Sequence, residues 1–142
     1  MNVMSTNDLI RESFEHVRPK REEFVLDFYQ RLFERAPEVR GMFADDVQPQ
    51  SMKLLTTLAL AVASLERLDD IVAPLKSLGT SHAALGVRPE HYPVVVDVFV
   101  DTLAAALGPH WRSEHEKAWR DVLDVIASTM IAGADAASSQ AA

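Results

Sequence analysis

The segment Ser81–Pro93, SHAALGVRPEHYP, carries two of the chain's five histidines, one of its two tyrosines and two of its seven prolines. Its reading turns on which histidine faces inward. Working back from His82, the residues Leu78, Leu75 and Val72 recur at spacings of three and four. His82 therefore closes the inner stripe of a helix that ends near Ala84. The connector GVRP breaks that helix. His91 then stands between Glu90 and Tyr92 at the start of the next one, where it is expected to be exposed. Among the other histidines, His16 and His115 sit between charged neighbours and read as solvated, and His110 follows Gly108 and Pro109 at a helix break and reads as a loop residue. From these residues alone His82 is either a buried structural histidine or a ligand.

Outward from this segment nearly every stretch keeps the helical period. STNDLIRESFEHV opens on capping residues and carries Leu9, Ile10, Phe14 and Val17; Pro19 opens a second helix with Phe24, Leu26, Phe28, Tyr29, Leu32 and Phe33. A short third helix runs from Pro37 to about Phe43, and ADDVQP follows as a polar loop. A fourth spans Gln50 to Leu65, and Asp69 or Asp70 caps the helix that leads to His82. A long apolar helix from Glu90 carries Val94, Val95, Val98, Phe99, Leu103 and Leu107. The last runs from Ser113 to Ala132 with Trp119, Val122, Ile126 and Met130. No alternating strand pattern and no hairpin signal interrupts the series. The expected fold class is all-α, with seven to eight unequal helices in one domain over residues 1–133 and a frayed tail at 134–142.

The totals narrow the function. Fourteen basic residues face 21 acidic ones, a net charge of −7, which disfavours nucleic acid and anionic membrane surfaces as partners. The chain has no cysteine, hence no thiolate metal site or thiol nucleophile. No signal-peptide pattern and no apolar run of membrane-spanning length is read, so no membrane insertion and a cytoplasmic location are expected. Phosphate-binding loops, the dinucleotide glycine fingerprint, the zinc-protease motif and the nucleophile elbow are all missing. The charge run KREE, Lys20 to Glu23, is a solvated face.

Taken together, the motifs resemble the globin family, and most of all bacterial single-domain haemoglobins and the globin domain of flavohaemoglobins. FYQRLFERAPEVRGMF (Phe28–Phe43) is similar to the family's second and third helices, QSMKLL (Gln50–Leu55) to the start of its distal helix, and HAALGVRPEHYPVV (His82–Val95) to the proximal histidine, connector and following helix. Ala118 and Trp119 match the mark of the last helix. The resemblance covers the chain from about Leu9 to Ala132.

The resemblance implies haem, as haem b with one iron, bound through His82, with His91 a bystander. It implies Tyr29 and Gln50 as hydrogen-bond donors to a diatomic gas, with Leu54 on the same helix face as Gln50 limiting the space. Gln48 is the alternative to Gln50 if the loop register differs. Phe43 packs on the haem, Lys53 reaches a propionate, and Leu58, Leu78, Val87, Val95 and Phe99 form the walls. Tyr92 matches the tyrosine of the family's proximal network, but the glutamate of that network falls at Ala134, and Asp135 is a helical step of about 100° away. A weaker electron push on the iron is the consequence, so peroxidase-type cleavage is not expected to be the main task. The expected function is reversible binding of dioxygen, nitric oxide or carbon monoxide for storage, delivery or scavenging. The second is nitric oxide dioxygenation with an external reductase, since no flavin or nicotinamide domain lies in these 142 residues. The third is a haem-free helical interaction module.

Overall fold

The computed structural model describes residues 5–141. Among them are six α-helices and no strand: α1 (Thr6–Val17), α2 (Arg21–Arg35), α3 (Gln48–Ala63), α4 (Val72–Ala84), α5 (His91–Leu107) and α6 (Ser113–Ala141). Four short 3₁₀ turns join them, at Arg18–Lys20, Pro37–Met42, Leu68–Ile71 and Gly108–His110. The expected count of seven to eight is reduced because the Pro37 segment is a 3₁₀ turn, not an α-helix. Asp69 and Asp70 lie inside the turn at Leu68–Ile71, so neither caps α4 by its side chain. The helix expected to stop at Ala132 runs on to Ala141. The added stretch is rich in alanine, the strongest helix former, and contains no proline.

Three helix starts share one device. At α1 the Ser5 hydroxyl accepts from the Asp8 N–H at 3.1 Å and the Asp8 carboxylate accepts from the Ser5 N–H at 3.4 Å, a capping box. The sequences Arg88-Pro-Glu-His91 and Arg112-Ser-Glu-His115 use imidazole in place of the carboxylate. His91 Nδ1 accepts from the Arg88 N–H at 2.8 Å, and His115 Nδ1 from the Arg112 N–H at 3.1 Å. His91 is half-buried at this cap.

His115 corrects the expectation of a solvated side chain, since it is 0% exposed. Its charged neighbours in sequence are misleading, because His115, Ala118, Trp119 and Val122 form one buried stripe of α6. Its ring stacks on Trp111 at 5.5 Å and its Nε2 meets Glu12 of α1 at 3.3 Å. His16 and His110 are exposed as expected and stack on each other at 4.9 Å. Leu26, placed on the inner stripe of α2, is exposed instead.

The main core gathers on α5. Val96, Val98, Phe99, Val100, Leu103 and Leu107 are buried, and Phe99 lies 5.4 Å from Phe24, 5.7 Å from Phe28 and 5.7 Å from Trp119. This burial also revises the expectation that no segment has spanning character. His91–His110 is long and apolar enough by composition, at a mean hydropathy of 1.3. Val96, Val98, Phe99, Val100, Leu103 and Leu107 of that stretch instead pack in the core. Trp119 closes the core against α1, where its Nε1–H donates to the Ser13 hydroxyl at 2.7 Å and Ser13 donates in turn to the Leu9 carbonyl at 2.7 Å.

A second, smaller cluster joins Ala61, Ile71, Leu75 and Met130. It lies where α4 packs along α6, and that contact is unusually close. A Cβ on Gly79 would come within 1.9 Å of the Met130 carbonyl oxygen, and one on Gly133 within 2.3 Å of the Lys76 carbonyl oxygen. The Thr80 hydroxyl locks the register by donating to the Gly133 carbonyl at 3.1 Å. A helical glycine replaced by alanine ordinarily gains up to about 1 kcal/mol. Gly133→Ala should instead cost roughly 1–3 kcal/mol, because two backbones must part to admit the methyl group. Urea unfolding checks the sign, and an unchanged or raised midpoint would show that the helices are not in contact there.

Candidate functional site

Each side of the site is built by a different pair of helices. α2 presents Tyr29 and Phe33, four residues apart on one face. The Pro37–Met42 turn then delivers Phe43 to the same place. Tyr29 meets Phe43 edge-on at 5.5 Å and stacks on Phe33 at 5.9 Å, while Phe33 meets Phe43 at 5.2 Å. Tyr29 is only 4% exposed. No fully buried side-chain polar atom lacks a partner among the described residues. The Tyr29 hydroxyl bonds to none of them, so it is this tip of the side chain that reaches open space. Burial pushes its phenol up to about 12, favouring the neutral form that can donate.

α4 presents His82. Its ring is half-buried, and Nδ1 lies 2.8 Å from the Leu78 carbonyl one turn back. A carbonyl only accepts, so the proton must sit on Nδ1 and the lone pair on Nε2. The Val87 N–H and the Leu85 N–H both return to the His82 carbonyl, at 3.1 and 3.0 Å, so the connector folds back under the histidine. Gly86, at φ 97°, makes that reversal available.

Between these two sides, α3 packs on α2 and α1 but makes no extensive contact with α4 or α5. The helix of Gln50 and Leu54 and the helix of His82 thus meet sparsely, at Ala61 and Leu75 of the smaller cluster. The apolar side chains Leu54, Leu78 and Val87 are half-buried and Val95 is 37% exposed. Gln50 is half-buried at the first turn of α3, whereas Gln48 is exposed there and Lys53 is exposed. Leu58 and Phe99 are buried in the main core. Phe99 has aromatic neighbours on several sides and serves as packing. Tyr92 lies with Leu78 against the smaller cluster, and burial raises its phenol. It also borders a groove of about 400 Å³ between α5 and α6, which holds none of the other candidates. Ala134 is half-buried and Asp135 is exposed.

These residues suit an iron porphyrin. Half-buried apolar side chains stand on both helices, the His82 imidazole offers an uncommitted Nε2 from α4, and a neutral phenol with no partner among the described residues is presented by α2. Phe33 is the member that sequence reasoning passed over. Its place four residues after Tyr29 was the available signal.

Comparison with known proteins agrees with this geometry. The family profile described as Globin matches residues 26–130. A globin-like protein of Aquifex aeolicus is 28% identical over 77% of this chain and 77% of its own length. A flavohemoprotein of Oceanobacillus iheyensis is 29% identical over 89% of this chain, which spans 32% of that protein's length. Among solved structures, an engineered carbene transferase built on a candidate nitric oxide dioxygenase of Rhodothermus marinus superposes with a TM-score of 0.84 at 26% identity, covering 96% of this chain and 97% of its own.

The titration of Tyr29 has a consequence for stability. A phenol in the unfolded chain titrates near pH 10, whereas the folded one titrates at about 12. The folded state keeps its proton in that window. The stabilisation is complete below about pH 10 and is lost as pH rises through the folded value. Tyr29→Phe should flatten the decline of the urea midpoint over this range and leave only the share of Tyr92. Identical slopes in the two proteins would refute the burial of this phenol.

Proposed function

Since this chain belongs to the globin family, we propose that it is a haem protein that reversibly binds dioxygen and related diatomic gases. The group is haem b with one iron, ligated by His82. The observation that carries this reading is the 2.8 Å bond from His82 Nδ1 to the Leu78 carbonyl. It fixes the tautomer whose Nε2 is a ligand and turns that atom away from the helix backbone.

The bound haem supplies a ferrous iron with one coordination position open to a gas. The chain's own residues do the rest. His82 holds the iron from α4. Tyr29 donates a hydrogen bond from its buried ring, and Gln50 donates from the first turn of α3. Glutamine is a poor iron ligand, so it can serve as donor without closing the site. Leu54 keeps water from the site, Phe43 packs against the porphyrin, and Lys53 reaches a propionate from the exposed side of α3. Leu78, Val87 and Val95 supply the remaining walls.

A second reading is nitric oxide dioxygenation driven by a reductase outside these residues. The Rhodothermus marinus relative, whose parent is a candidate for that activity, favours it, and so do the flavohemoproteins. The same donors serve both readings. Sustained nitrate formation with a reductase and reduced nicotinamide, against a single stoichiometric burst without one, separates them.

The first test is the absorption spectrum of ferric, reduced and carbon monoxide-treated protein. Wild type should show a haem spectrum with a carbon monoxide adduct, and His82→Ala should lose or grossly alter it. A wild type that stays colourless after addition of haemin refutes the reading. Tyr29→Phe and Gln50→Val should each speed dioxygen dissociation by roughly two- to tenfold, the range of one hydrogen bond of about 0.5–1.5 kcal/mol. Stopped-flow dissociation measures it, and carbon monoxide, a weaker acceptor, should respond less.

A further inference from the structure

We infer that Arg40 is a positioning residue for the gas-binding side of the site: it clamps the loop after the Pro37–Met42 turn so that Phe43 holds the Tyr29 ring in place. The functional consequence rests on the proposed gas-binding role of the site, while the clamp stands on its own geometry.

Three successive main-chain carbonyls converge on one guanidinium. Nη1 donates to Phe43 O at 3.4 Å and Ala44 O at 3.1 Å, and Nη2 donates to Asp45 O at 3.1 Å. In an extended loop successive carbonyls point to alternate sides, so this convergence requires a tight bend and a cation with several donors in one plane. The Phe43 N–H closes the link from the other side by bonding to the Arg40 carbonyl at 3.1 Å. Phe43 is thus tied to Arg40 by both of its main-chain polar groups. The same guanidinium stands 4.8 Å over the centre of the Phe33 ring.

Arg40 therefore touches two of the three rings around the distal hydroxyl, Phe33 by its plane and Phe43 through its backbone. Those rings are what Tyr29 packs on, at 5.9 and 5.5 Å, with Phe28 at 5.2 Å completing the surround. No group of the described residues holds the Tyr29 hydroxyl, so ring packing sets its direction. Lysine would not replace Arg40, because an ammonium is a point charge with no plane to stack and no fork to span three oxygens.

A double-mutant cycle tests the assignment with Arg40→Met, Arg40→Lys, Tyr29→Phe and the pair Arg40→Met with Tyr29→Phe. The first readout is the phenol titration by near-ultraviolet absorbance, which needs no haem. Arg40→Met should move the Tyr29 titration down towards the ordinary tyrosine range as the loop opens and water enters. The second is the dioxygen dissociation rate of haem-loaded protein. Arg40→Met should raise it several-fold in the presence of Tyr29 and leave it unchanged once Tyr29 is phenylalanine. Arg40→Lys should behave as Arg40→Met in both readouts, and it decides the matter if the methionine variant does not fold. An Arg40 variant that is merely less heat-stable, with both readouts at wild-type values, overturns the proposal. An equal change in dissociation with and without the Tyr29 hydroxyl overturns it as well. Should the protein fail to take up haem, the proposed function falls while the titration still decides the clamp.

Discussion

A main-chain carbonyl accepts hydrogen bonds and never donates them, and the chemistry of His82 follows from that asymmetry. The Leu78 carbonyl lies 2.8 Å from Nδ1 and takes the proton that this nitrogen must therefore carry. The second nitrogen is left basic and free. Both terms come from one helix: a residue and the carbonyl four places before it. The tautomer thus needs no partner from elsewhere in the chain. What the tertiary structure adds is location. It seats α4 along α6 and leaves the His82 ring half-buried.

The two sides of the site are stiff for different reasons. On the Tyr29 side, stiffness comes from aromatic rings that meet edge to face around the phenol ring. On the His82 side it comes from two glycines that let helix backbones touch. The cluster around Phe99 and Trp119 spreads over α1, α2, α3, α5 and α6 and takes in Tyr29 itself, with Phe33 and Phe43 packed against it, so the Tyr29 side is an extension of the main core. The helix of His82 rests instead on the smaller cluster. The Trp119–Ser13–Leu9 chain of hydrogen bonds satisfies the indole within the main core.

Much of this was legible in the sequence, and the failures are physical. Periodicity located the helices because apolar stripes at three and four residues persist where a face is buried, as in Val96 to Leu107. It also put His82 on an inner face, whereas Tyr29, Phe43 and Gln50 were named by the family resemblance. It missed His115 because charge in the neighbouring residues was weighed above the stripe that joins His115 to Trp119. It placed the end of α6 too early because the C-terminal stretch offers no apolar stripe to bury. Gly133 is the point where α6 comes close to Lys76, and only the partner helix reveals that need. Phe33 was signalled by its spacing from Tyr29 and passed over, whereas Arg40 was invisible: its role arises from a loop folding back, which no local pattern encodes. His91, expected to be exposed, is half-buried, because its ring accepts from the Arg88 amide at the helix start, a contact no local pattern displays.

The close crossing of α4 and α6 has a consequence for how the protein is made. Thr80 and its partner Gly133 are 53 positions apart in the chain. At about 5–20 residues per second, the surface on which α4 sits leaves the ribosome roughly 3–10 s after α4 itself. During that interval α1, α2 and α3 are already synthesised, and the helix bearing His82 has Ala61 of α3 and Ile71 of the preceding turn to rest against but not yet α6. The nascent protein therefore gathers the rings around Tyr29 early, while the support of the His82 helix is completed only as the C-terminal helix arrives.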